Sequence, residues 1–195
     1  MAGDREKRES DEPQKLGVHV PGAGVVGHHF DDRWDIESTT EHVRMVIAPE
    51  TDQILLLLRL TSQMQEPFRV LYVLVAPQVG QAGRYDLQPP LDREQLTAFL
   101  LENKEFFEGD ARHNVCIAST SDQSLLVYDQ HNVIYAYGPL ASFTHLLEDA
   151  GFRRAPVTLP FPHTHHFQSA FDSHEAELLA RHNWTHHPLS ESDAD

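Results

Sequence analysis

The sequence predicts an α+β domain: a mostly antiparallel sheet of about six to eight strands with about three helices packed on it. Three observations predict this. Short apolar runs bounded by turn residues recur through residues 43–137. Successive runs are joined by short turns rather than by helical crossovers, which is the pattern of hairpins. Two segments, at Asp92 and Asp172, carry helix-start signals ahead of amphipathic stretches.

The elements follow in chain order. Residues 1–15 interleave acids and bases with almost nothing apolar, and read as a disordered arm. A single domain is expected over residues 16–187, with a short acidic tail over 188–195. Gly22, Gly24 and Gly27 match the dinucleotide-binding fingerprint by letters. No helical stripe follows them, however, so they read as a flexible glycine loop. Residues 54–60 and 68–76 are the strongest strand candidates. Residues 43–47 are expected to pair with 54–60 through the turn at Pro49 and Asp52. In the second run Phe68, Val70, Tyr72 and Leu74 face one way, and Leu71, Val73 and Val75 the other, which marks a strand covered on both faces. Residues 83–87 add a short edge strand.

Asp92 with Gln95 forms a capping box, and Leu91 and Leu96 are spaced as a hydrophobic staple. Leu96, Phe99, Leu100 and Phe107 then make one buried stripe, which Gly109 ends. Strands are expected at 114–118, 124–128 and 133–137, the last two joined by a hairpin loop at Asp129 to Asn132. Pro139 opens a second helix and Gly151 closes it, with Phe152 folding back on Leu147. A late strand over 154–159 precedes an irregular path through Pro160 and Pro162. Asp172 and Glu175 start a last helix reaching about Trp184.

Charge narrows the function. Thirty acids against 15 bases give a formal charge of −15, and no run of Lys and Arg forms a basic patch. Nucleic acid and anionic membrane are therefore excluded as partners, while a basic protein partner suits the charge. Protonating all 14 histidines would nearly neutralise the chain, so acidification favours association. The longest apolar run falls far short of a membrane span. The N-terminus has no apolar segment of the signal-peptide kind, and one cysteine, Cys116, permits no intrachain disulfide. Both features point to a cytoplasmic protein.

The sharpest local chemistry is His163-Thr164-His165-His166. In an extended segment His163 and His165 project to the same side about 6–7 Å apart, close enough to converge on one divalent ion. No cofactor is expected unless such a pair holds a divalent metal such as zinc. A complete site needs further ligands, and His113 and His131 come from loops that the sheet can bring near. The competing reading is that a histidine-rich chain produces close pairs by chance. The familiar zincin pattern fails, because Leu178 stands where the second histidine belongs after His174 and Glu175. Asp129 reads as a turn former, and Cys116, in an apolar strand, as a small hydrophobe.

Tyr135 and Tyr137 alternate with Ala136, so both project from one sheet face. If that face is open, they are partner-binding anchors. In composition and class the chain resembles the small acidic immunity proteins that neutralise basic toxins, a resemblance that carries no site residues. The leading expectation is a non-catalytic acidic protein-binding module. The alternative is a metal-binding protein or metal-dependent hydrolase built on the His-x-His segment.

Overall fold

The structure is a computed structural model that describes residues 14–40 and 42–193. The predicted arm at 1–15 lies largely outside these residues. Among the described residues twelve strands fall into two sheets. Nine form one sheet in the order β10-β3-β4-β9-β8-β7-β5-β6-β12, and three form a second in the order β11-β1-β2. In chain order the strands are β1 (Leu16–Val20), β2 (Gly24–Gly27), β3 (Arg33–Ser38), β4 (Val43–Ala48), β5 (Phe68–Leu74), β6 (Gly83–Leu87), β7 (His113–Ser119), β8 (Leu125–Tyr128), β9 (Ile134–Tyr137), β10 (Arg153–Arg154), β11 (His163–His165) and β12 (Trp184–His187). Every pairing is antiparallel except the short β10–β3 contact.

Five α-helices stand among the described residues: α1 (Gln53–Thr61), α2 (Arg93–Glu102), α3 (Lys104–Gly109), α4 (Leu140–Asp149) and α5 (Asp172–Arg181). The protein is thus mostly β with helices. The expected six to eight strands with three helices is corrected by these counts.

One face of the large sheet holds the core. Val70 and Tyr72 of β5, Val115 and Ile117 of β7, Leu126 of β8 and Ile134 of β9 are fully buried. They cluster with Ile54 and Leu57 of α1, Leu96 and Leu100 of α2, Phe106 and Phe107 of α3, and Phe143 and Leu147 of α4. Strict alternation of buried and half-buried residues along β7, β8 and β9 shows that the helices cover this face and leave the other partly open. Each fully buried Leu or Phe contributes about 1.5–3 kcal/mol of transfer free energy.

Local signals account for several elements. Asp92 caps α2, with its side chain accepting from the Gln95 N–H at 2.8 Å while Gln95 reaches back to the Asp92 N–H at 3.0 Å. Gly151 adopts φ +88° after α4, and the Phe152 N–H bonds the Leu147 carbonyl at 2.9 Å, the expected helix stop.

Other expectations fail for identifiable reasons. Residues 54–60 are helical. Gln53, Ile54, Leu57, Leu60 and Thr61 are buried at helical spacing while Leu55 is exposed, so residues 43–47 pair with β3 and β9 instead. The glycine segment is a hairpin, with Gly22 and Gly24 at positive φ in the turn between β1 and β2. Strand β6 is not an edge, because β12, which begins at Trp184 where the last helix was expected to end, covers it. Of the late strand expected over 154–159 only Arg154 lies in a strand, the two-residue β10, since Pro156 cannot donate to the ladder. Asp172 makes no capping bond, and Glu175 is drawn elsewhere.

Candidate metal centre

Three histidines from two sheets converge. His163 and His165 lie on β11, with Thr164 between them facing away. His131 lies in the loop between β8 and β9 of the large sheet. One nitrogen from each ring falls within 4.8 Å of the others. The ring centroids of His131 and His165 are 4.8 Å apart, and His163 stands 5.3 Å from each. A tetrahedral ion at about 2.0–2.1 Å from each nitrogen needs them about 3.4 Å apart, so the rings must close by up to about 1.4 Å to hold one.

The outer contacts decide which nitrogens are free. His131 Nδ1 lies 2.8 Å from Asp129 Oδ2, and His163 Nδ1 lies 2.8 Å from the Pro160 carbonyl oxygen. A carbonyl only accepts, so His163 carries a hydrogen on Nδ1, and in the neutral ring Nε2 is the nitrogen left free. The Asp129 carboxylate imposes the same arrangement on His131. An imidazole whose far nitrogen donates to a carboxylate or a carbonyl is the usual form of a metal-ligating histidine. His165 Nε2 is buried with no hydrogen-bond partner. A buried nitrogen of that kind is costly unless something accepts its lone pair or proton. Burial, together with the neighbouring His131 and His163, pulls His165 down to about 4, so its ring is neutral and ready to coordinate near pH 7.

Asp129 does two things at once. Its Oδ1 accepts the backbone N–H groups of His131 at 2.8 Å and Val133 at 2.9 Å, which shapes the loop. Its Oδ2 orients the ring. The turn-former reading of Asp129 was therefore half of its role.

Lys15 joins the two sheets beneath the site. Its side chain is fully buried. Nζ donates to the Asp129 carbonyl at 3.0 Å and sits 3.9 Å from the centre of the Tyr128 ring. The Lys15 carbonyl accepts the His166 N–H at 2.8 Å, just past the ligand pair. A single lysine therefore ties the His131 loop to the His163 and His165 strand. Sequence reasoning missed it, because a polar N-terminal segment carries no local sign of burial.

The stretch after β11 is fixed by a buried ionic cluster. Arg112 donates to both Asp110 oxygens, at 2.7 and 2.9 Å, and to Glu175 at 2.6 Å, with all three side chains fully buried. Arg112 also reaches the Gln168 carbonyl at 3.0 Å, and Asp110 accepts the Gln168 N–H at 2.6 Å. Burial opposes the Glu175 charge, but Arg112 and the backbone N–H groups of residues 78–80 more than offset it, and its carboxyl sits below the usual range.

The remaining sequence candidates are placed as follows. His113 is not in the group. It is fully buried with its ring against Phe106, Phe107 and Tyr72, and burial holds it well below the ordinary histidine range. His166 packs against Gly17, whose position in the strand pairing places it on the sheet face opposite the metal ligands. Tyr135 and Tyr137 do share the sheet face away from the helices, both half-buried. Arg44 stacks on Tyr135 at 4.2 Å and reaches the Tyr137 hydroxyl at 3.5 Å.

No fourth Cys, His, Asp or Glu joins the three histidines among the described residues. Three imidazole donors with no fourth protein ligand among the described residues match the make-up of catalytic rather than structural zinc sites. Among the described residues no helix is long and apolar enough to cross a membrane. No family model, curated protein or solved structure matches the chain.

Proposed function

We propose that the protein binds a divalent transition metal, zinc by ligand type, through His131, His163 and His165, with water completing the coordination, and that this is a hydrolytic centre. One observation carries the reading: three imidazole nitrogens from two sheets face one another within 4.8 Å. Chance pairs along a histidine-rich chain do not explain it, because His131 is remote in sequence and two of the three rings are oriented by an acceptor on the far nitrogen. The all-nitrogen set leaves the ion its full positive charge. That charge lowers a bound water toward a pKa of about 7 and polarises a carbonyl. The single cysteine of the chain is in keeping with a reducing compartment such as the cytoplasm.

Elemental analysis of protein purified without a nickel column tests this. The expected result is one zinc per chain after equilibration with equimolar zinc and gel filtration, and loss of that zinc in the His163→Ala/His165→Ala double variant. The cobalt form should show the intense visible bands of a tetrahedral site. Sub-stoichiometric metal that does not fall further in the double variant would refute the reading.

A further inference from the structure

The metal-facing side of the small sheet continues beyond the histidines as an apolar shelf. Opposed residues of antiparallel strands share a face. Val18 opposes His163 on one side and Val26 on the other, so His163, Val18 and Val26 stand in one row on the metal side. Val20 lies on the same side two residues along β1, opposite Gly24, which has no side chain. With neighbouring strands about 4.8 Å apart, the row runs about 10 Å outward from His163. Val20 and Val26 are 38% and 37% exposed, and Val18 is half-buried. Val25 points to the reverse face, opposite His19 and against the Gly17 side. Beyond the ligands, the side chains that β1 and β2 place in these two rows are all valines.

We infer that the centre hydrolyses neutral carboxylic esters whose acyl chain lies along Val18, Val20 and Val26 while the ester carbonyl takes the open metal position. This rests on the metal reading above and names its substrate class. A short acyl group would leave the shelf bare, whereas a chain of about six carbons covers most of its 10 Å. The charge of −15 repels anionic esters, and the valine shelf offers a cationic chain no polar partner, so the substrate is uncharged. The chemistry needs no further reactant. With the carbonyl in that position, a water held beside it as a fifth ligand gives one proton to solvent. The hydroxide oxygen forms a bond to the carbonyl carbon as the π pair moves to the carbonyl oxygen. The adduct then collapses, breaking the bond to the alkoxy oxygen. That oxygen leaves with the electron pair and takes up a proton, and the products are an acid and an alcohol.

Two readouts on the metal-loaded full chain test the inference, one of which does not need turnover. Alkyl hydroxamates bind zinc and cobalt through the group that would replace the ester carbonyl. Titration into the cobalt form, followed by its visible bands, should show hexanohydroxamate binding about tenfold tighter than acetohydroxamate. The p-nitrophenyl esters should show the same preference in kcat/KM for hexanoate over acetate. A tenfold preference is what about four methylenes gain on a half-covered surface, below the roughly 0.8 kcal/mol each that full burial gives. Val26→Asp should abolish both preferences without changing metal content. Val25→Asp, a hairpin substitution on the reverse face at a residue that is also exposed, should preserve them.

The result separates the two readings. A chain that takes up no metal overturns both. A chain that binds one metal but shows no chain-length preference, or loses the preference equally in the two aspartate variants, overturns the shelf alone. Hydroxamate preference without ester turnover above that of free zinc overturns the hydrolytic part.

Discussion

Replacing Lys15 by Met should flatten the pH dependence of stability just above neutrality, and the size of the effect follows from one buried ammonium. Burial drives Lys15 from 10.5 down to about 7, with Asp129, Asp110 and Glu108 pulling the other way. A lysine whose folded value lies below its unfolded one holds fewer protons folded than unfolded between those two values. Stability therefore rises with pH across the window from about 7 to 10.5, and the penalty of the buried charge is complete below it. At pH 7 the folded lysine is about half protonated and the unfolded one almost wholly so. The slope thus starts near half of 1.4 kcal/mol per pH unit and climbs toward that value. Integrated from about pH 7 to pH 8.5, the gain is about 1.6 kcal/mol.

Methionine keeps the apolar stem and cannot ionise, so Lys15→Met should lose this gain. The variant also leaves the Asp129 carbonyl without its donor, at a cost of about 1–3 kcal/mol that does not vary with pH. The difference between two pH values, not absolute stability, is the discriminating quantity. Urea unfolding of the metal-free protein at about pH 7 and pH 8.5 measures it. Cys116, whose thiol burial raises from 9.0 to about 12, contributes equally in parent and variant and cancels from that comparison. Equal pH differences in parent and variant, within about 0.5 kcal/mol, would mean that Lys15 is not buried as a strained cation.

Two further substitutions probe the supports of the site. Asp129→Asn preserves the acceptor that shapes the loop but removes the carboxylate behind His131. Zinc affinity, read by competition with a chromophoric chelator, should fall about tenfold to a hundredfold, and an unchanged affinity would show that Asp129 serves the loop alone. Arg112→Met strands the buried Asp110 and Glu175 carboxylates and should cost about 3–5 kcal/mol in urea unfolding, whereas a loss below about 1 kcal/mol would show that water reaches the cluster.

What could be read from the chain was what neighbours along it decide. The Asp92 cap, the Gly151 stop and the hairpin at residues 129–132 all depend on residues within one or two turns, and all three form. The same-side placement of His163 and His165 follows from strand pleating and is also present. The misreadings share a cause. A five-residue run of Ile and Leu, Ile54 to Leu58, is compatible with a buried strand or a helix face, and only the exposure of Leu55 among its buried neighbours separates them. Glu175 had the spacing of a cap but found a stronger partner in Arg112, which no local rule anticipates. The second sheet was invisible because β1 and β2 are rich in glycine and valine, and β11 is three residues long.

The division of the ligands between two sheets has an energetic consequence. His131 belongs to the nine-stranded sheet, and His163 and His165 to the three-stranded one. An ion that gathers them also docks one sheet on the other, so part of its binding free energy is spent ordering that contact. Lys15 and the Arg112 cluster lower that share, because they hold the His131 loop, β1 and the chain after β11 together before any ion arrives. On this reasoning their effect on metal affinity is indirect but real. Weakening either support should loosen metal binding without touching a ligand, whereas an exposed change on the reverse face of the hairpin, such as Val25→Asp, should not. The centre is thus a product of tertiary packing, and that is why a pair of histidines in the sequence pointed toward it while the residues that complete it did not.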